Sequence, residues 1–416
     1  MSRLLHTSDW HLGRALGRYS REEDFDGVLA EITAIARETE PDLIVHSGDL
    51  FDTSRPTSRD LIRAVRTLDD LAAIAPTVVV AGNHDSPGYF ELLACLSGPS
   101  RGRGLFFIDK LRPAREGGVL TFDTRGGRQR IRLAVLPYVH PNRFWQRSSV
   151  SGTTPAAYAE GMRGLQRELM QALYEGHDPD RDVLVLAAHV FVAGASPSRS
   201  ERHSDADRAF TTAPADLPEV AYAALGDIHA PQAVAGVPFA ARYAGSPLQM
   251  DFGERGEAKS VVIVDADPGR PVRVMRRRLS AGRQLAVFEG PLEELRQTAH
   301  LYKGVFLKAV ITDEEPDALL TRTVAEIVPH AILVSAAPKR PESDDALLEE
   351  AADEELNLGD AFCAYLTDQG MSGETAQSTA SAFADLLGQL DEEAPRPVHA
   401  EELLRTALED TWTEAS

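Results

Sequence analysis

The sequence contains only two cysteines, Cys95 and Cys363, in 416 residues. Two cysteines cannot supply a disulfide framework, and their scarcity is typical of a reducing compartment. No apolar run reaches the roughly 18 residues that a membrane-spanning helix needs. The N-terminus lacks the long apolar stretch of a signal peptide. We therefore expect a cytoplasmic protein without a membrane segment.

Positive charge is also scarce, with 43 Lys and Arg against 64 Asp and Glu and a formal net charge of -21. Such a balance is unusual for a protein that binds nucleic acid. The excess of acid is local, because residues 341–416 hold 20 acidic residues and 2 arginines, which leaves residues 1–340 with a net charge of only -3. An acidic segment of this kind is typical of a solvated or protein-binding tail.

The N-terminal part alternates strand and helix patterns. Apolar residues at helical spacing predict helices over residues 22–39 and 58–73, and apolar runs at 43–46 and 77–81 predict buried strands. This alternation predicts an α/β fold with helices on the faces of a sheet. After about residue 256, the regular alternation of strand and helix patterns gives way to several predicted strands and one predicted helix. We expect three domains, 1–255, a small α+β capping domain at 256–337, and an acidic helical tail at 338–416.

Polar clusters follow the ends of the predicted strands, where open α/β sheets place their functional sites. Taken singly, most of these clusters are common turns, and a lone histidine after a strand is more often a core residue than a ligand. The run Gly-Asn-His-Asp is more specific because it has no packing purpose, and turns alone do not explain the whole set in this order. The clusters are 8–11 (SDWH), 47–52 (SGDLFD), 81–85 (AGNHD), His189 and 226–229 (GDIH).

These clusters combine carboxylate, imidazole and carboxamide groups, which suit Mn²⁺, Mg²⁺, Fe or Zn²⁺. A carboxylate such as that of Asp49 can bridge two cations. Two cations about 3.5–4 Å apart can hold an attacking hydroxide and neutralise a phosphoryl transition state. His84 follows the amide of Asn83 and is free to assist the leaving oxygen. The pattern therefore predicts a two-metal phosphoesterase.

The same motifs resemble those of the calcineurin-like metallophosphoesterases. Within that superfamily, residues 6–13 (HTSDWHLG) and 242–248 (RYAGSPL) are similar to the SbcD family of bacterial nuclease subunits. The resemblance covers about residues 1–255 and implies a four-layer α/β/β/α sandwich. It also implies two metal ions, Mn²⁺ or alternatively Mg²⁺, with 3′-to-5′ exonuclease action on duplex DNA ends and endonuclease action on hairpins. The partners it implies are an SbcC-type ATPase and a second copy, as a homodimer within a heterotetramer.

The resemblance also assigns roles to residues, with His84 as the histidine that acts on the transition state or leaving group. One position departs from the family pattern, since Asp227 stands where the family has the first histidine of Gly-His-x-His. A carboxylate can ligate Mn²⁺ or Mg²⁺ through a hard oxygen, so we expect Asp227 to remain a ligand, directly or through water. One metal is assigned to Asp9, His11, Asp49 and His229, and the other to Asp49, Asn83, His189 and Asp227.

Arg14 and Arg55 lie in loops beside the predicted ligands and are our candidates for DNA phosphate contacts. The arginines of 125–132 and 276–278 are explained as well by ordinary solvated surface. Apolar faces in the tail suit docking onto the ATPase partner. Two other functions stay open: a small-molecule phosphodiesterase or phosphatase on the same fold, and a DNA-binding scaffold whose second site Asp227 has weakened.

Overall fold

Two six-stranded sheets lie face to face and carry helices on their outer faces, in a computed structural model that describes residues 1–17, 19–97, 104–113, 116–141, 155–198, 210–313, 318–329 and 331–336. In chain order the strands are β1 (Ser2–Thr7), β2 (Leu43–His46), β3 (Thr77–Val80), β4 (Leu105–Ile108), β5 (Val119–Asp123), β6 (Arg130–Leu136), β7 (Asp182–His189), β8 (Tyr222–Gly226), β9 (Gln232–Ala233), β10 (Ala240–Tyr243), β11 (Ser260–Ala266), β12 (Arg273–Arg278), β13 (Leu285–Gly290), β14 (Phe306–Ile311) and β15 (Ala331–Ala336). The helices are α1 (Glu22–Thr39), α2 (Ser58–Ala72), α3 (Pro87–Ser97), α4 (Pro155–Tyr174), α5 (Leu292–Thr298) and α6 (Ala318–Ile327).

The first sheet has the strand order β12-β11-β1-β2-β3-β4, and β1 to β4 run parallel. Every residue of β2 and β3 is buried, as expected for parallel strands covered on both faces. Helices α1, α2 and α3 cover the outer face, where Phe25, Val28 and Ile32 of α1 pack in the core. Helix α1 ends where Glu40 adopts a left-handed conformation just before Pro41.

The second sheet has the order β5-β6-β7-β8-β10-β9, in which β6, β7, β8 and β10 run parallel. Val45 and Val78 of the first sheet pack against Val185 and Ala224 of the second. Helix α4 covers the other face with residues such as Leu169. The four-layer α/β/β/α sandwich expected from the resemblance is therefore confirmed.

The sandwich continues beyond residue 255, where we expected the first domain to end. Strands β11 and β12 complete the first sheet, because β11 pairs antiparallel with β1 in a register that places Leu5 opposite Ile263. A separate three-stranded sheet, β13-β14-β15, packs with α5 and α6 in a small α+β unit. Residues 337–416, which include the expected acidic helical tail, lie outside the described residues.

The carboxyl ends of β1, β2 and β3 meet at one edge of the first sheet, as the pairs Thr7–His46 and His46–Val79 show. In the second sheet, the end of β7 lies beside the end of β8, with His189 opposite Gly226. The polar clusters of the sequence follow these strand ends. Among the helices that the structure describes, none has the length and apolar character to cross a membrane.

Candidate dinuclear metal centre

Four ligand-type residues sit on sharp backbone turns at these strand ends. Asp9, His11, Asp49 and Asp227 have φ angles of 51°, 47°, 55° and 102°. Non-glycine residues rarely adopt positive φ, at a cost of about 1–3 kcal/mol each, and such strain concentrates at functional sites. The turns are interlocked, because the backbone N–H groups of Asp9 and His11 donate to the carbonyls of Gly48 (2.9 Å) and Asp49 (3.0 Å).

Two glycines allow the strand ends to approach each other. A Cβ at Gly48, whose φ is +116°, would lie 2.0 Å from His189 Nδ1. A Cβ at Gly82 would lie 2.0 Å from Asp49 Oδ1. Any side chain at either position would push a predicted ligand out of place, so both glycines are required by close approach.

Asp9, His11 and His229 form the first group of donors, with ligand atoms within 4.8 Å of one another and all three residues buried. The Nε2 atoms of His11 and His229 are 3.0 Å apart. Two nitrogens bound at right angles to one ion, each at about 2.1 Å, would be separated by about 3 Å. Asp9 Oδ2 is buried without a hydrogen-bond partner among the described residues. These donors fit a divalent cation.

Asp9, Asp49 and His189 form a second buried group. His189 Nε2 is 3.0 Å from Asn83 Oδ1 and 3.5 Å from Asp227 Oδ1. Asp49 belongs to the second group and also faces the first, with Oδ1 3.7 Å from His189 Nε2 and Oδ2 3.4 Å from His11 Nε2. The structure thus brings the seven predicted ligands together, and one of them, Asp49, has a carboxylate that faces both groups.

The electrostatics of the site also favour cations. Burial raises the pKa of Asp9 to about 7. Burial opposes the charged form of His189, but Asp49 and Asp227 outweigh it and raise the pKa of His189 to about 10. The acidic groups therefore hold a proton on a predicted ligand when no metal is bound. A cation would take the place of this proton, because an imidazole ligates through its unprotonated nitrogen.

His84 stands beside the donor groups and is partly exposed. Its Nδ1 lies 2.7 Å from the carbonyl oxygen of Asp52, which can only accept, so the ring donates Nδ1–H there. Its ring packs edge-on against His11 at 4.8 Å, and its backbone N–H donates to Asp49 Oδ1 at 3.0 Å. His84 is thus held by its neighbours next to the proposed ligands.

Sequence reasoning assigned no role to three residues that support the ligands. The buried carboxylate of Asp85 accepts from the backbone N–H groups of Leu50, Phe51 and Gly82, which joins two of the loops. Its place at the end of Gly-Asn-His-Asp was the available signal. Glu254 and Lys259 contact His229 and belong to no recognisable motif.

The candidate DNA-binding arginines differ in their surroundings. Arg14 Nη1 donates to Asp52 Oδ1 at 3.2 Å, within the site's own network. Arg55 is exposed in the segment that follows Asp52. The 125–132 cluster lies at the opposite end of the sheet from His189, and Arg130 there pairs with Asp182 at 2.6 Å. That cluster therefore lies away from the donor groups.

The comparisons with known proteins agree with the geometry. The family model described as calcineurin-like phosphoesterase matches residues 2–231. The chain is 33% identical to the SbcD subunit of the SbcCD nuclease from Bacillus subtilis over 290 residues. This alignment covers 68% of this chain and 71% of that protein. Identity to the SbcD subunit from Escherichia coli is 27% over 317 residues, with coverage of 73% and 74%. DNA double-strand break repair protein Mre11 of Methanopyrus kandleri is 30% identical over 330 residues, with coverage of 75% and 65%. The chain therefore belongs to the calcineurin-like phosphoesterase family and, within it, to the SbcD-type nuclease subunits.

Proposed function

We propose that this chain is a metal-dependent DNA nuclease that works in DNA repair and recombination. The observation that carries the proposal is the position of Asp49, whose two carboxylate oxygens face His11 and His189 at 3.4 and 3.7 Å. A carboxylate shared in this way is suited to bridge two cations. In the SbcD-type branch of the family, the substrate of such a site is a DNA phosphodiester.

One cation is held by Asp9, His11, Asp49 and His229, and the other by Asp49, Asn83, His189 and Asp227. Oxygen donors outnumber imidazoles in the second set, which favours Mn²⁺, or Mg²⁺ as the alternative. When bound, the two cations supply charge for the phosphoryl oxygens and activate a water for attack. His84, fixed through Nδ1 by the Asp52 carbonyl, assists the leaving oxygen. Arg14 and Arg55 contact DNA phosphates beside the site.

The substrates are double-stranded DNA ends, cut in the 3′-to-5′ direction, and DNA hairpins. An SbcC-type ATPase binds the acidic part at 338–416 and controls access, in the cytoplasm. Two copies of this chain form a homodimer within that heterotetramer. Support for the homodimer comes from Ile62 on α2 and Leu92 and Leu96 on the neighbouring α3, which are 51%, 47% and 57% exposed. Leu92 and Leu96 are four residues apart and so share one face of α3, and exposed apolar side chains that share a face are typical of an interaction surface.

The proposal is tested by comparing substrates in the presence of Mn²⁺. We expect the purified chain to cleave end-labelled linear duplex DNA and a DNA hairpin, with shortening from the 3′ end, and to act poorly on bis(p-nitrophenyl) phosphate. Faster action on the small phosphodiester would favour a small-molecule phosphodiesterase. DNA binding without cleavage in any divalent metal would favour a scaffold with a weakened second site.

A further inference from the structure

Glu254 is fully buried although it is not among the proposed metal ligands. It ends the short 3-10 turn Phe252–Glu254. Its Oε1 lies 3.0 Å from His229 Nδ1, and its Oε2 accepts from the backbone N–H of Met250 at 3.0 Å and lies 2.6 Å from Lys259 Nζ. A buried carboxylate is tolerated when its oxygens are this fully paired. Its partners therefore indicate what it holds in place.

The contact with Glu254 determines which nitrogen of the His229 ring donates a hydrogen bond. A carboxylate paired with an ammonium and a backbone N–H acts as an acceptor, so His229 donates Nδ1–H to it. With this hydrogen on Nδ1, the ring nitrogen left to bind a cation is Nε2, the atom that lies 3.0 Å from His11 Nε2 in the first donor group. Carboxylates that accept from the far nitrogen of a histidine commonly set its tautomer and orientation for a metal.

Lys259 holds the other side of the same arrangement. Its buried Nζ donates to the carbonyl of His229 at 3.0 Å and to Glu257 Oε2 at 2.8 Å, in addition to its contact with Glu254. Glu254 therefore contacts the ring of His229, and Lys259 contacts its backbone carbonyl. In His189, by contrast, Nδ1 lies 3.0 Å from the uncharged backbone carbonyl oxygen of Ser47 and not beside a carboxylate.

We propose that Glu254 is a positioning residue that presents His229 Nε2 to the first cation, with Lys259 keeping Glu254 in place. This inference rests on the metal assignment of the proposed function. Glu257 provides a matched control, because it also accepts from Lys259 Nζ, while its other side-chain contact within the described part of the chain is with Ser198 and not with His229.

The test compares the wild type with Glu254→Gln and Glu257→Gln in the full-length chain. Mn²⁺ binding is followed by the electron paramagnetic resonance signal of free Mn²⁺. We expect two sites in the wild type and in Glu257→Gln. Glu254→Gln should weaken one site by about 10–100-fold, in line with losses of such outer partners. Unchanged affinity at both sites in a folded Glu254→Gln variant would overturn the inference and leave Glu254 as a structural ion pair.

A second measurement needs no Glu254 variant to fold. Long-range ¹H–¹⁵N spectra of the metal-free wild type, labelled at histidine and assigned with His229→Gln, report which ring nitrogen carries the proton. We expect His229 to be protonated at Nδ1, and protonation at Nε2 alone would refute the inference. A wild type that binds no Mn²⁺ while His229 shows the Nδ1–H form would instead count against the proposed function.

Discussion

The backbone N–H of Asp227 donates to Asp9 Oδ1 at 3.1 Å, which ties the end of β8 in the second sheet to the end of β1 in the first. The contact uses the main chain of Asp227, so it does not depend on which side chain stands at this position. The side chain of Asp227 lies beside the second donor group, with Oδ1 3.5 Å from His189 Nε2. Because the backbone of Asp227 contacts Asp9 and its side chain contacts His189, the side chain can be replaced without removing the contact with Asp9.

Replacing Asp227 with His should leave Mn²⁺-dependent DNA cleavage equal or higher. Imidazole restores the family pattern, reaches farther than a carboxylate and removes one negative charge from the site. It should also shift metal preference toward Zn²⁺, because nitrogen ligands suit softer cations. Cleavage rates and competitive Mn²⁺ and Zn²⁺ binding measure both effects, with Asp227→Asn as a control that keeps an oxygen without the charge. A large fall in rate would mean that the site has adapted to aspartate.

The raised pKa of Asp9 makes metal-free stability depend on pH. Burial moves this pKa from 3.8 to about 7, so the folded state holds a proton that the unfolded state has already lost. The stabilisation that the protonated Asp9 gives to the folded state is complete below about pH 4, and it is lost as the pH rises to about 7. In EDTA, the melting temperature of Asp9→Asn should therefore fall less between pH 5 and pH 8 than that of the wild type.

Asn at position 9 retains the oxygen that accepts from Asp227, so the substitution isolates the effect of charge. Adding Mn²⁺ at pH 8 should raise the wild-type melting temperature more than that of Asp9→Asn. A cation at 100 times its dissociation constant stabilises by about 2.7 kcal/mol. Equal losses of melting temperature in the two metal-free proteins would show that Asp9 is not the titrating group.

Local sequence signals, together with the family resemblance, predicted which residues come together at the strand ends. Each predicted ligand ends or follows a strand whose apolar pattern can be recognised within a few residues, and the register of parallel strands then brings the ends together. The glycines at 48 and 82 are also a local signal, because glycine tolerates the close approach of His189 and Asp49 to the backbone there.

Features set by distant contacts could not be predicted in this way. The return of β11 to β1 pairs Arg3 with Asp265, a contact without a local signature, and so the sandwich extends beyond the boundary expected at 255. Glu254 lies 25 residues from His229 in the chain, and nothing in its neighbours distinguishes it from a surface glutamate. Its role follows only from the fold.

Replacing His84 with Ala should reduce DNA cleavage by about 10²–10⁴-fold, the usual contribution of a general acid or base. Mn²⁺ binding should persist, because the contact of residue 84 with Asp49 uses the backbone N–H. Single-turnover rates and Mn²⁺ titration measure the two effects, and the exposed His300→Ala serves as the control. Loss of both metal sites would contradict the role assigned to His84.

Charge placed on the apolar surface of α2 and α3 should prevent formation of the proposed homodimer. Ile62→Glu or Leu96→Glu would bury an unpaired carboxylate in the interface, which is strongly unfavourable. Light scattering after size-exclusion chromatography should give a dimer for the wild type and a monomer for each variant. Met170→Glu, on the exposed face of α4, is the control and should stay dimeric. A wild type that is monomeric at all concentrations would remove this part of the proposal.

Arg55→Ala should weaken binding of duplex DNA without changing Mn²⁺ affinity. Arg55 is exposed three residues after Asp52 in the chain, and each phosphate contact that is lost reduces the slope of log affinity against log salt concentration by about 1. Binding is measured by fluorescence anisotropy at several salt concentrations, with Ca²⁺ in place of Mn²⁺ to prevent cleavage. Arg128→Ala is the matched control, because Arg128 is also exposed but lies at the end of the second sheet opposite to His189. Equal losses of affinity and of salt slope in the two variants would mean that DNA is held by general surface charge and not beside the donor groups.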